Sequence, residues 1–389
     1  MKLFRLPALV LGGGATTGLG AIRSLGRAGV AVCYVDEGKS VTAYSRYCKE
    51  YFIFPKIGHN KDELKEALLK LQNEIGEAVL FPGTDLYAIY LSDLIEEFDG
   101  YYLPAPKKEV IEILINKRRF YESIMKKIPH PTTYFPENLE DVKKMSKDVA
   151  YPVFLKPYFS QPFSKRFRKK GFVANSEKEL LQYFALIQRL KVHMMIQEII
   201  LGPPTDHIFL DGYIDRDSNP KAFFARRRLR MWPAAFGNSS LCVSIPAAQI
   251  TSLKEAIFKY LKSIRYHGIF SAEMKKDSLD GLFKLLEINS RTSAWFNTLS
   301  AKCGINIMLI AYLDAIGRDV KYSEDYEAGI KWVFLRDDLR SATRMMLSGD
   351  LGTREWISSL LGKKDYASYA KDDLRPFIMS LPHTIFEMI

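Results

Sequence analysis

Ser271-Ala272-Glu273-Met274-Lys275 and Leu285-Leu286-Glu287-Ile288-Asn289-Ser290-Arg291 are the two stretches that decide the fold. Both read as ends of short strands, Gly268–Lys275 and Phe283–Ile288. Alternation along a strand puts Glu287, Asn289 and Arg291 on one face. Glu273 lies on the neighbouring strand, and antiparallel pairing would bring its carboxylate toward that face. Two carboxylates and an amide oxygen are hard donors of the kind Mg²⁺ selects, with phosphate oxygens and water completing its octahedron. Arg291 would project to where negative charge gathers on a transferring phosphoryl group or an acyl phosphate. An exposed polar strand face is the competing explanation. Asn is disfavoured inside strands, which counts against it.

Working upstream, Tyr151-Pro152-Val153-Phe154-Leu155-Lys156-Pro157 ends an apolar strand with a lysine. Burying that ammonium is costly unless an anion meets it, although a lysine can also snorkel from a strand end. Asn116-Lys117-Arg118-Arg119-Phe120 supplies a second lysine, within a predicted helix Lys108–Lys126. Gln197-Glu198-Ile199-Ile200-Leu201-Gly202 reads as a strand ending in a turn. Ile199, Ile200 and Leu201 could line the apolar slot, with backbone donors and acceptors, that an adenine ring requires. Asp206, just beyond, could accept hydrogen bonds from ribose hydroxyls.

In this order and spacing the pieces resemble the ATP-grasp superfamily, over nearly the whole chain. The resemblance implies that Lys117 and Lys156 contact phosphates and that Gln197, Glu198, Ile199, Ile200 and Leu201 form the adenine hinge. It implies that Asp206 contacts ribose, that Glu273, Glu287 and Asn289 hold the metal, and that Arg291 is the arginine that follows them. The Arg226–Trp232 segment with Pro233, and the Lys331–Pro376 tail, resemble a subgroup of carboxylate–amine ligases that includes D-aspartate-ligase-like proteins. The implied activity is ADP-forming ligation of a carboxylate to an amine, or to a thiol, through an acyl phosphate. The implied cofactors are ATP and Mg²⁺ (or Mn²⁺). Arg230 is a second, weaker candidate for oxyanion stabilisation. One departure stands out. Relatives carry a glycine- and serine-rich loop after the second lysine, whereas Tyr158–Gly171 here is aromatic and basic and lacks periodicity. It is expected to be a loop closing over the triphosphate through one of Lys165, Arg166, Arg168, Lys169 or Lys170.

The N-terminal part reads as strand, glycine turn, helix and strand. Ala8–Leu11 leads into Gly12-Gly13-Gly14, and Val30–Val35 ends at Asp36. This opens a parallel α/β domain, and Pro82-Gly83-Thr84-Asp85 sits at the carboxyl end of a later strand, where open sheets bind ligands. The fold class expected is therefore multi-domain α/β and α+β: a parallel pre-ATP-grasp domain over residues 1–105, then an ATP-grasp domain over 106–330. Within the latter, a mobile subdomain is expected at about 130–202, and residues 331–389 form a C-terminal extension. Gly14, Gly18 and Gly20, with Asp36 beyond, also spell a dinucleotide signature, so an NAD(P)-dependent oxidoreductase is one alternative. No YxxxK pair accompanies it. A non-catalytic nucleotide- or RNA-binding protein on the same fold is the other.

The net charge is +11, and its basic residues form two clusters, Lys165–Lys170 and Arg226–Arg230, with a solvated surface face accounting for much of the remainder. Both lie in the segment assigned to phosphate, so the charge argues for ATP and an acidic substrate rather than nucleic acid. No apolar run reaches the ~18 residues of a membrane span, and Met1–Pro7 leads into a glycine turn rather than a signal-peptide core. These features predict a cytoplasmic enzyme of small-molecule carboxylate and amine substrates. Analogy alone suggests a homodimer. Cys33, Cys48, Cys242 and Cys303 form no CxxC pair, which argues against a zinc site or a disulfide framework. His130, His193, His207 and His267 read as surface or core polar groups.

Overall fold

The computed structural model describes residues 4–234, 237–292 and 294–386; the first three residues of the segment before the glycine turn lie outside it. The first sheet is built from β1 (Ala8–Leu11), β2 (Val32–Asp36), β3 (Cys48–Ile53), β4 (Ala78–Pro82) and β5 (Tyr101–Tyr102). Its strands are all parallel, in the order β3-β2-β1-β4-β5. β1 and β4 are buried along their whole length, as a parallel strand covered on both faces must be. The order reverses direction between β1 and β4, the place where such sheets open a crevice. Gly83 belongs there because a Cβ on it would sit 2.5 Å from the Gly12 carbonyl oxygen.

Gly18 leaves room for the Tyr34 ring, whose atoms lie within 2.9 Å of where its Cβ would be. The Tyr34 hydroxyl accepts from the Gly14 N–H at 3.1 Å and donates to Asp36 at 2.8 Å. Gly18 of the dinucleotide signature thus makes room for a tyrosine, whose hydroxyl already satisfies the Gly14 N–H that a pyrophosphate would take.

The second sheet contains β6 (Thr133–Tyr134), β7 (Val153–Pro157), β8 (Phe172–Ala174) and β9 (Met194–Glu198), in the order β6-β9-β7-β8 with antiparallel neighbours. Val153, Leu155, Met194 and Ile196 from its strands meet Val142, Leu180 and Phe184 from helices Leu139–Met145 and Glu177–Arg189. The third sheet contains β10 (His207–Ile214), β11 (Pro220–Trp232), β12 (Asn238–Ser244), β13 (Gly268–Lys276), β14 (Phe283–Asn289), β15 (Lys331–Val333) and β16 (Lys364–Tyr366). Their order is β14-β13-β10-β11-β12-β15-β16.

The chain divides into two compact units. One comprises Met1–Ile111, Ile208–Ala272 and Asn289–Ile389; the other comprises Glu112–His207 and Glu273–Ile288. Residues 331–389, set apart by the sequence as an extension, supply β15 and β16 to the larger unit. There the Asp373 carboxylate accepts from Arg23 at 2.9 Å, Ser45 at 2.7 Å and the Arg46 N–H at 2.9 Å.

Two local expectations need correction. The helix predicted over Lys108–Lys126 is two helices, Lys108–Ile115 and Lys117–Ile124. Asn116 separates them because its side chain accepts from the N–H groups of Arg118 and Arg119, a cap that competes with helix continuation. The stretch Tyr158–Gly171 is not wholly a loop, since Ser160–Phe167 is helical. Phe163 and Phe167, one turn apart, pack with ring centroids at 4.6 Å and planes tilted by 39°, the i,i+4 contact that favours a helix.

Candidate active site

The smaller unit gathers the two lysines, two carboxylates and the hinge. Lys117 is the first residue of its helix, and its backbone N–H donates to the Tyr158 carbonyl at 3.0 Å. The helix is tied to β14 by Tyr121, whose hydroxyl donates to the Leu286 carbonyl at 2.7 Å. This fixes the Lys117 ammonium 3.8 Å from the Glu287 carboxylate. Lys156, near the end of β7, donates to the Gln197 side-chain oxygen at 2.7 Å. The Gln197 amide in turn donates to Thr133 at 2.8 Å. Gln197 is buried, so the residue placed by the sequence in the adenine hinge holds a lysine with its side chain.

Lys156 therefore meets a neutral amide where Lys117 meets a carboxylate. Burial, and then the like charge of Lys117, push the Lys156 ammonium down to about 8. Glu287 and Glu273 partly oppose that shift. Both glutamates also act electrostatically on the Tyr121 hydroxyl, which burial pushes upward. Lysines and carboxylates are thus close enough to act on one another electrostatically.

The hinge follows β9. Gly202 has φ of +115°, and a Cβ there would sit 2.3 Å from the Asp206 carboxylate, so Asp206 lies directly against the turn. Lys275, two residues after Glu273 on β13, donates to the Ile200 carbonyl at 2.7 Å and the Gly202 carbonyl at 3.0 Å. The Glu198 carboxylate accepts from Lys284 at 2.9 Å. His207 approaches Glu273 directly, with Nδ1 2.8 Å from Oε1.

Two of these groups, Lys275 and His207, escaped the sequence analysis. Lys275 could have been found, because alternation puts it on the Glu273 face. The one signal for His207 was its place directly after Asp206.

In the larger unit, Arg291 donates through Nε to Asp85 at 2.6 Å and through Nη1 to the Thr292 carbonyl at 3.2 Å. Its Nη2 reaches the Asn289 side-chain oxygen at a long 3.5 Å. Thr292 donates to the Pro82 carbonyl at 3.0 Å, so this strand end is anchored to the turn after β4. Arg230 is buried and forks onto Asp338 at 2.8 and 2.9 Å, with Ser359 at 2.7 Å. Arg226, also buried, pairs with Asp211 at 2.7 Å.

A divalent cation fits the donor set of the smaller unit. Among the described residues no three His, Cys, Asp or Glu side chains cluster as a metal cage. Two carboxylates with lysines beside them suit a cation that brings most of its ligands with it, as Mg²⁺ does on a triphosphate. No described helix is long and apolar enough to cross a membrane. The four cysteines are free thiols.

No protein-family model matches the chain. It is 28% identical over 310 residues to the D-aspartate ligase of Enterococcus faecium, an alignment spanning 74% of this chain and 72% of that protein. Its fold resembles the biotin carboxylase domain of 2-oxoglutarate carboxylase from Hydrogenobacter thermophilus, solved with MgADP and bicarbonate. There the TM-score is 0.65 at 18% identity, over 84% of this chain and 74% of that one. It also resembles N5-carboxyaminoimidazole synthetase from Staphylococcus aureus, with a TM-score of 0.64 at 18% identity over 84% and 81% of the two chains.

Proposed function

We infer that this chain, an ATP-grasp protein by its fold and by its similarity to a D-aspartate ligase, is an ADP-forming carboxylate–amine ligase. The observation that carries the inference is the grouping in one unit of Lys117, Lys156, Glu273 and Glu287 beside a capped hinge. Mg-ATP, when bound, supplies the phosphoryl group that turns a carboxylate into an acyl phosphate, which an amine then attacks.

Each residue has a part that follows from its surroundings. Lys117 and Lys156 offset phosphate charge; Lys156 suits this because its present partner is an amide that a phosphate can replace. Glu273 and Glu287 hold the cation. Lys275 occupies the carbonyls of Ile200 and Gly202. The polar groups of Ile199 and Leu201, which alternate with them, are then left to face an adenine edge. Asp206 takes the ribose. Arg291 meets the oxyanion, aimed by Asp85. It is preferred to Arg230, whose fork is filled by Asp338.

The substrates are small molecules, and the proposed first carboxylate is an amino acid of the D-aspartate type, after the relative's name. We place the enzyme in the cytoplasm, with a homodimer as its working form. The test is ADP release from Mg-ATP in the presence of D-aspartate or related carboxylates, each paired with candidate amines. ADP release that requires both partners is expected. Tight Mg-ATP binding with no turnover across a broad panel would favour a non-catalytic nucleotide-binding protein instead.

A further inference from the structure

His207 is buried in the smaller unit, immediately after the proposed ribose residue Asp206 and at the first position of β10. Its Nδ1 lies 2.8 Å from Glu273 Oε1. Glu273 sits on β13, the strand whose Lys275 fastens the hinge carbonyls of Ile200 and Gly202. β13 is therefore connected to the hinge region at two successive positions of one face, by a carboxylate–imidazole contact and by a lysine. A carboxylate anchored through one oxygen keeps its second oxygen at a fixed bearing. An unanchored glutamate would have three rotatable bonds to restrain on binding a cation.

We propose that His207 is a positioning residue for the metal carboxylate Glu273, acting as an Nδ1–H donor to Oε1 so that Oε2 is presented to the nucleotide-bound divalent cation. The proposal rests on the ligase reading only in taking Glu273 as a cation ligand. Carboxylates that ligate metals are commonly held by outer hydrogen bonds whose loss costs about 10–100-fold in metal affinity. The same cost is expected here, and it falls on the metal rather than on the nucleotide base. His207 touches no reacting atom in this scheme, so turnover at saturating metal should recover most of its rate.

The full chain tests this with Mn²⁺ as the probe. Mn²⁺ affinity is measured by electron paramagnetic resonance in the presence of ADP, and ADP affinity is measured separately in EDTA. His207→Ala should weaken Mn²⁺ binding about 10–100-fold and leave metal-free ADP binding unchanged. His207→Asn places an amide N–H near the position of Nδ1 and should stay within about threefold of the parent. His207→Gln presents its amide nearer Nε2 and should behave like alanine. These two polar variants decide the matter even if the alanine variant fails to fold. Equal Mn²⁺ affinity in Asn and Gln variants overturns the proposal, as does a matching loss in metal-free ADP binding, which would assign His207 to the hinge. A parent chain that binds no Mn²⁺ with ADP overturns the ligase reading itself, a different result from a parent that binds and variants that do not differ.

Discussion

Two basic stretches of similar composition meet opposite fates. Arg226, Arg228 and Arg230 on β11 are buried. Arg226 is paired with Asp211 and Arg230 with Asp338, and the Arg226 and Arg228 guanidinium groups both lie over the Phe209 ring. Lys165, Arg166, Arg168, Lys169 and Lys170 are all exposed, and two of their side chains lie over rings, Arg166 over Phe167 and Lys169 over Phe172. As sequence, both clusters read as anion-binding. As structure, one is a set of internal charges with counter-charges built in, and the other is a surface still open to an anion. A run of cations says little about function until its acids are known.

The comparison breaks first, and most visibly, at Arg230. Removing one member of a buried pair leaves the other charge uncompensated and costs about 3–5 kcal/mol. Arg230→Ala should lower the urea midpoint correspondingly, by orphaning Asp338, which also accepts from Trp356 at 3.1 Å. Nucleotide affinity of the folded fraction should not change. A loss below about 1 kcal/mol would put Arg230 with the surface charges and restore it as a partner for the oxyanion.

Lys156 stands between the two classes, a partly buried cation that among the described residues donates to an amide rather than to a carboxylate. Its ammonium is held at about 8 by burial and by Lys117, below the ordinary lysine value near 10.5. Between about pH 8 and 10.5 the unfolded chain therefore binds a proton that the folded chain has released. Through this group, stability rises with pH across that window. Phosphate reverses the preference by favouring the ammonium. Nucleotide affinity should be flat below about pH 8 and then fall up to tenfold per pH unit above it, with proton uptake on binding. Calorimetry in two buffers of different ionisation enthalpy measures that uptake, and Lys156→Ala should abolish it. Equal heats in both buffers at pH 9 would mean that Lys156 stays charged without its ligand.

Strand content and glycine turns were legible because periodicity and turn chemistry are local. The alternation that put Glu287 and Asn289 on one face is a property of β14 alone. What stayed hidden depended on partners far along the chain. Nothing near Arg230 announces Asp338, 108 residues away, and nothing near Gln197 announces Lys156, 41 residues before it. His207 read as an ordinary polar histidine because Glu273 lies 66 residues downstream. The helix inside Tyr158–Gly171 was missed for another reason. Its apolar face is one turn of phenylalanines set among cations, too short for a periodic signal, and it shows itself only in the Phe163–Phe167 contact.

The smallest effect, and the sharpest use of the comparison, lies within the exposed cluster. Of its five cations, Lys170 is the one whose like charge adds to the forces that disfavour the Lys156 ammonium. A phosphate beside Lys156 should therefore feel Lys170 before its neighbours. An exposed charge at such a site is worth at most about 1 kcal/mol. Lys170→Ala should thus weaken ATP binding no more than about fivefold at low salt, with thermal stability unchanged. At ~1 M salt the Debye length shrinks to about 3 Å, and the difference from the parent should vanish. Lys165→Ala, measured in parallel, should leave affinity unaltered. Equal losses from the two variants would show the cluster acting as a diffuse field. A Lys170 loss that persists in salt would show a direct ammonium–phosphate contact made only when the nucleotide is in place.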